Sequence, residues 1–476
     1  MAKVLLIQPH RDLRYERIKE KRLSVQSQRK FRYEKAVEKF KYSAPSSLVY
    51  IGTAIEHRHS VKIYDRNLDL NDENFIKFLK NYKPDIVGFT STTSPVLYDI
   101  IHLGPIIKRE MQKVTVVVGG IHPTIEPDSV LNEPYVDYIV RGEGEEAFLE
   151  FCDTFDKNPK KLGKLKNINK NPLRPFLDVN KLKFPDYSLI NTKDYGKFFI
   201  STGRGCPGKC NFCYNVGMWG KDGHPCVRIY DTEKTKELFK ERIEKYGITD
   251  FTIMDENFIT FKKRTIEVAE FLEKNYKGKI NFLIFARADF IKNNEESLRA
   301  LKKAGCHTVQ MGIESGSPRI LKLLDKDIDM KTQAESIEIC RKIGLFSDAS
   351  FMIGIPTETV EEAKMTERFI RKYKPDIVDL KIFNPLPGSN LFDDLVKDGR
   401  LKKPKTLEQW ADWNSGHWRL VNVNFSEIPD ELLWKIASRM WKINYYGPRI
   451  KKALYWLRRG RIMYVLKKAN LIINKF

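Results

Sequence analysis

Ser201-Thr202-Gly203-Arg204-Gly205-Cys206-Pro207-Gly208-Lys209-Cys210-Asn211-Phe212-Cys213 decides how the chain folds around it. An apolar run at 198–202 leads into a glycine-rich loop that carries three cysteines in C-x3-C-x2-C spacing. Three thiolates on one flexible loop can each hold one iron of a [4Fe-4S] cubane and leave the fourth iron open. Soft sulfur donors suit either an iron–sulfur cluster or zinc, but structural zinc takes four protein ligands, often from two C-x2-C pairs. Here Cys226 follows alone and His224 is badly spaced, so the cluster on Cys206, Cys210 and Cys213 is the reading preferred to zinc. The chain has seven cysteines, an odd number beginning only at Cys152, which argues for reduced thiols over a disulfide framework.

Downstream, short runs rich in Val, Ile and aromatics predict strands at 198–202, 250–254, 281–285, 308–312, 349–353 and 377–382. Between them, amphipathic spacing predicts helices at 232–245, 263–276, 294–304, 331–343 and 360–373. Six strand–helix units in succession give a partial (β/α)6 TIM-type barrel, whose chemistry belongs at the carboxyl ends of the strands.

C-x3-C-x-aromatic-C after the first strand of such a barrel resembles the radical S-adenosylmethionine superfamily. Further matches stand in order at predicted strand ends: Met254-Asp255-Glu256-Asn257-Phe258, Ala286-Arg287-Ala288-Asp289, Gly312-Ile313-Glu314-Ser315-Gly316 and Gly354-Ile355-Pro356-Thr357-Glu358-Thr359. The resemblance implies that the open iron is chelated by S-adenosylmethionine, and that one electron cleaves its sulfonium bond to give a 5′-deoxyadenosyl radical. It also implies that Phe212 lies beside the adenine and that Asp255 and Glu256 meet the methionyl amino group. Arg287 and Glu314 would approach the carboxylate and ribose, and Gly354 and Ile355 the adenine. Thr357 departs from the pattern, standing where a second glycine is common. A zwitterionic ligand does call for a carboxylate, a cation and glycines that permit close backbone approach.

Upstream, apolar runs at 4–7, 61–64, 86–89, 114–118 and 138–140 alternate with helical stretches such as 46–57 and 97–111. This is the pattern of a doubly wound parallel sheet, Rossmann-like or flavodoxin-like, with its ligand beyond the strand ends. Those ends carry Thr90-Ser91-Thr92-Thr93, Val118-Gly119-Gly120-Ile121-His122-Pro123-Thr124 and Arg141-Gly142-Glu143-Gly144-Glu145. Placed directly before the cluster domain, they resemble the cobalamin-binding domain of the cobalamin-dependent radical enzymes. The resemblance implies cobalamin contacts at Thr90, Ser91, Gly119, Gly120, His122, Gly142 and Glu143. D-x-H-x-x-G is absent, so cobalt would have no histidine ligand from that motif, and His122 would shape its loop or touch the corrin. Methylthiotransferases, which need a second cluster in this domain, are excluded because no cysteine precedes Cys152.

The expected layout is a cobalamin-binding domain at 1–155, a Lys-, Asn- and Pro-rich linker at 156–190, a radical S-adenosylmethionine domain at 191–400 and a helical basic extension at 401–476. The charge-dense segment 11–42 reads as an exposed helix or a flap. At 476 residues with 42% hydrophobic composition the chain can bury several cores. It has no apolar run long enough to span a bilayer and no signal peptide, so a cytoplasmic enzyme is expected. The net charge of +22 suits encounter with anionic partners without naming them. From Arg449 to Phe476 there is no acid, only basic residues interleaved with Trp, Tyr and Leu. Such a tail fits the inner face of an anionic membrane or a capping helix, and nucleic acid less well. The function expected from the resemblance is methyl transfer to an unactivated carbon of a hydrophobic or lipid-like substrate, with electrons from a ferredoxin- or flavodoxin-type donor. Alternatives are a non-methylating cyclase resembling the enzyme of Mg-protoporphyrin monomethyl ester, or a cobalamin sensor without activity.

Overall fold

A computed structural model of the chain describes residues 1–10, 42–219, 227–413 and 423–443. The segment 11–41, His224, Cys226 and the basic tail lie outside these residues. The described chain divides into two units, one of residues 1–10, 42–219, 227–248 and 384–413, the other of 249–383 and 423–443.

The first unit is built on five parallel strands: β1 (Lys3–Gln8), then, after β2 (Tyr42–Ser43), β3 (Ser60–Asp65), β4 (Ile86–Ser91), β5 (Thr115–Gly120) and β6 (Tyr138–Val140). Their order across the sheet is β3-β1-β4-β5-β6, so the winding direction reverses between β1 and β4. In such sheets the crevice for a ligand opens outside the strand ends at that switch point. β1 is buried on both faces because helices cover it, as its unbroken Val4-Leu5-Leu6-Ile7 run requires. Val4, Leu6, Leu48, Ile86, Val117, Phe148 and Phe151 form one continuous core. The segment after the helix Gly144–Lys157 holds neither α-helix nor strand but a chain of turns and short 3-10 helices, from Pro159–Lys164 to Thr192–Asp194. Asp178, Asp186 and Asn191 each accept the backbone N–H two residues on, the local bonding that makes Asx residues turn formers.

β7 (Tyr195–Ile200) pairs in parallel with β2. It begins three residues before the expected run at 198 and ends before Ser201-Thr202, because the chain there turns into an antiparallel stem. That stem joins β8 (Gly203–Arg204) to β9 (Arg228–Ile229).

In the second unit β10 (Asp250–Ile253), β11 (Asn281–Phe285), β12 (Cys306–Glu314), β13 (Phe346–Ile353) and β14 (Ile377–Ile382) are parallel neighbours in chain order. Each expected strand is present. β12 and β13 start earlier than their apolar runs because His307 and Ser347 are buried with hydrogen-bond partners for their polar atoms. His307 Nδ1 lies 2.6 Å from Thr308 Oγ1, and Ser347 bonds the Asp376 carboxylate. Short helices at Ala288–Asn293 and Pro318–Leu323 escaped the periodicity. The second is set by Pro318 in its first turn and by the Ser317 cap. Cys306 and Cys340 are fully buried core residues, with burial pushing the Cys306 thiol up to about 12. Among the described residues no helix is long and apolar enough to cross a membrane.

Candidate functional site

The cysteine loop belongs to the first unit. Of the three cysteines, Cys210 is buried and Cys206 and Cys213 are partly exposed. Gly208 N–H points at Cys206 Sγ (3.4 Å), and Cys213 N–H donates to the Cys210 carbonyl (3.1 Å), a tight turn that sets two thiols on one short arc. Gly205 takes φ +92°, which a side chain would resist. The loop is braced by residues 388–391, at the start of the helix Asn390–Lys397. Leu391 N–H donates to the Asn211 carbonyl (2.9 Å), and a Cβ on Gly217 would lie 2.5 Å from the Gly388 carbonyl oxygen. Among the described residues no three His, Cys, Asp or Glu side chains are grouped as one ion would need. The donor set is three soft thiols on a single loop, which fits a cluster that bonds each sulfur to a different iron.

The stem of this loop is fastened to the N-terminal domain. Arg204 Nη1 donates to Glu143 and Nη2 to Glu145, while Arg228 Nη1 reaches both oxygens of Glu143 (2.9 and 3.1 Å). Glu143 also accepts from Leu177 N–H (2.7 Å). Burial alone would raise its carboxyl. The Arg228 hydrogen bond and the Arg204 charge outweigh that and hold it below the usual range. Neither arginine stood out in the sequence. The available signal was charge complementarity between an Arg flanked by glycines and the two acids of Arg141-Gly142-Glu143-Gly144-Glu145.

The other expected cobalamin residues cluster at the ends of β4 and β5. Thr90 and Ser91 stand opposite Gly119 and Gly120 in register, with Ser91 Oγ donating to the Gly119 carbonyl (3.1 Å). Gly120 has φ +104°, and a Cβ there would sit 2.4 Å from the Ser91 carbonyl oxygen, whereas at Gly119 it would meet nothing closer than 3.7 Å. His122 is buried between Thr93 Oγ1 at Nδ1 and Ser129 Oγ at Nε2, both 2.9 Å away, with Trp410 edge-on to its ring. Burial drives its pKa down to about 3, so it is neutral and both nitrogens are engaged within the protein. Gly142, at φ +72°, donates its N–H to Thr124 Oγ1 (2.8 Å), which in turn donates to the Gly120 carbonyl (2.7 Å). Tyr187 is a packing residue, its ring buried under the Arg242 guanidinium and its hydroxyl against Ser46 Oγ.

Phe212, half-buried, follows in the cysteine loop. The remaining residues expected at S-adenosylmethionine lie in the second unit, at the carboxyl ends of β10 to β13. Asp255 is buried and Glu256 half-buried after β10. Asn257 ties this loop to the next, its Oδ1 accepting from Arg287 N–H (3.0 Å). Arg287 pairs with Asp289 (3.1 Å) and touches the Lys326 carbonyl. Glu314 ends β12 at φ +65° with its carboxylate on Lys326 Nζ (3.0 Å), both side chains buried. Gly354, at φ +80°, and Ile355 are held by Glu358, whose Oε2 accepts both backbone N–H groups (2.6 and 3.2 Å). Burial lifts Glu358 to about 8 despite those bonds. Asn257 and Glu358 were quoted in motifs without a role. Lys326 gave no signal, because its partner lies twelve residues away across a helix.

A Radical SAM superfamily model matches residues 200–370, and a B12 binding domain model matches residues 40–151. The chain is 35% identical over 378 residues to an uncharacterized methyltransferase of Pyrococcus horikoshii, spanning 75% of this chain and 79% of the relative. It is 28% identical over 349 residues to the anaerobic magnesium-protoporphyrin IX monomethyl ester cyclase of Rubrivivax gelatinosus, spanning 69% and 61%. Its fold is that of the methyltransferase TsrM from Kitasatospora setae, solved with cobalamin and a [4Fe-4S] cluster bound (TM-score 0.68, 16% identity, 99% of each chain). It is also that of the radical enzyme OxsB with aqua-cobalamin and S-adenosylmethionine bound (TM-score 0.69, 17% identity, 100% of this chain and 72% of that one). With a cysteine loop stemmed onto a doubly wound domain, and with the B12 binding domain model matched ahead of the Radical SAM model, the chain belongs to the cobalamin-dependent radical S-adenosylmethionine enzymes.

Proposed function

We propose that this enzyme transfers a methyl group to an unactivated carbon. The observation that carries the reading is the C-x3-C-x2-C loop held by its own stem on the B12-type domain, in a chain 35% identical to a methyltransferase. Cys206, Cys210 and Cys213 would hold the cluster. The backbone at Thr90–Ser91, Gly119–Gly120 and Gly142 would face the corrin, with His122 and Glu143 shaping and anchoring those loops. Asp255, Glu256, Arg287, Glu314, Gly354, Ile355 and Phe212 would receive S-adenosylmethionine. When bound, the cluster supplies the electron for radical formation and the corrin carries the methyl group. The protein's own part is positioning. Asn257 locks the Arg287 backbone to the loop after β10, Lys326 orients the Glu314 carboxylate, and Glu358 fixes the Gly354-Ile355 amides. Electrons come from an external reductant, for which a ferredoxin- or flavodoxin-type donor is the natural class.

A second reading, cyclisation without methyl transfer, is favoured by the 28% identity to the cyclase. The products separate the two. Under anaerobic reducing conditions with cobalamin and the true substrate, methyl transfer yields S-adenosylhomocysteine together with 5′-deoxyadenosine. 5′-Deoxyadenosine alone, with substrate consumed, would overturn methyl transfer in favour of cyclisation.

A further inference from the structure

The cysteine loop leaves the framework and rejoins it at one short stem, Gly203 opposite Ile229 and Arg204 opposite Arg228. All three cysteines lie between these strands in sequence. The terminal rung sets two arginines in register, and like charges directly opposite one another across an antiparallel pair repel. Tyr230 N–H on the Thr202 carbonyl (2.8 Å) and Asn180 on the Ile229 carbonyl (3.2 Å) extend this short ladder but leave the paired arginine charges unbalanced. Glu143 supplies the missing charge: Arg204 and Arg228 both donate to it, and Glu145 takes the other arm of Arg204. Two cations and two anions thus balance in a site shielded from solvent, where salt screens little. Aromatic faces roof both guanidiniums, Tyr50 5.9 Å from Arg204 and Phe176 4.6 Å from Arg228.

Glu143 also ends a relay through the loops assigned to the corrin. It follows Gly142, whose N–H is held by Thr124 Oγ1, and the same hydroxyl donates to the Gly120 carbonyl beside Ser91. Whatever orders the Gly120 and Gly142 loops therefore orders Glu143, and whatever closes the stem does so too. The geometry points to Glu143 as the positioning residue through which the corrin loops and the cysteine loop stabilise one another, so that occupancy of either strengthens binding at the other. The inference rests on the assignment of both cofactors given above. Linkage requires the effect to be reciprocal, and couplings of this kind are typically about 5-fold to 150-fold in affinity.

The test is a titration of the full-length protein with hydroxocobalamin, followed by visible absorbance after removal of free corrin. Cluster-reconstituted and cluster-free wild type are compared with the same two forms of Glu143→Gln. The expected result is at least about 5-fold tighter binding to the cluster-loaded wild type, with that ratio collapsing to one in Glu143→Gln. Equal affinities in the two wild-type forms, or a ratio preserved in the variant, would overturn the coupling. If Glu143→Gln does not fold, hydrogen exchange on cluster-free wild type decides. Peptides containing Gly203–Arg204 and Arg228–Ile229 should exchange several-fold more slowly with hydroxocobalamin present, and unchanged exchange would overturn the proposal. Failure of the wild type to bind hydroxocobalamin in any form would sink the cobalamin assignment and the coupling with it. Binding without coupling would sink the coupling alone.

Discussion

Single residues carry their predictions through backbone strain and burial. Gly119 and Gly120 are adjacent and look alike in sequence, yet only Gly120 has a positive φ and a carbonyl oxygen against its missing Cβ. Gly120→Ala should cost about 3 kcal/mol, strain and overlap combined, while Gly119→Ala should stay within about 0.5 kcal/mol. Urea unfolding of the two variants side by side checks this contrast. Glu358 predicts a pH dependence. Its carboxyl is raised from 4.5 to about 8 by burial, so the folded protein holds a proton that the unfolded chain releases. Its contribution to stability therefore falls as pH rises between those values. Glu358→Gln removes that titration, so its stability relative to wild type should grow from pH 6 to pH 8; a gap independent of pH would refute the raised Glu358 carboxyl. Thr357, the departure from the family pattern, sits at φ +63° under two bonds from Arg319. In urea unfolding, Thr357→Gly should change stability by no more than about 1 kcal/mol, strain relief being offset by the lost Arg319 bond to Oγ1 and by a freer unfolded chain. The glycines and the motif acids were legible in sequence. Lys326 and Asn257 were not, because a buried partner across a turn leaves no periodicity behind.

At the level of elements, periodicity located every long strand and missed the short ones that matter for the site. β2, β8 and β9 are two residues each, too short for any alternation to register, and β8 and β9 make the stem of the cysteine loop. What fixes them is charge pairing with Glu143, a contact between residues some sixty to eighty-five positions apart. The helix Leu407–Trp413 lay within a segment read only as helical and basic. It packs against the helix Val96–Glu110, with Trp410 fully buried beside His122, Phe392 and Trp413. Trp410→Ala should cost about 3–5 kcal/mol and open the loop that holds His122. Thermal unfolding and hydroxocobalamin affinity, measured together, should both fall; a fully stable variant would show that this helix is not part of the core.

Across the whole molecule, the order of motifs was the most readable property. Parallel α/β architecture puts every functional loop at a strand end, so a strand pattern also locates the chemistry. The charge of +22 was equally visible, but it describes encounter with anionic surfaces rather than a site. The choice of substrate is written in pocket shape rather than in cofactor ligands, and so leaves no motif. Everything proposed for the enzyme requires that Cys206, Cys210 and Cys213 hold a redox cluster that activates S-adenosylmethionine. Its most direct test is anaerobic reconstitution with iron and sulfide, followed by iron analysis and assay of reductive S-adenosylmethionine cleavage. Wild type is compared with the Cys206→Ala, Cys210→Ala, Cys213→Ala triple variant. The expected result is about four iron atoms per wild-type chain and 5′-deoxyadenosine that disappears in the variant. Zinc in place of iron, or equal 5′-deoxyadenosine from both proteins, would contradict it.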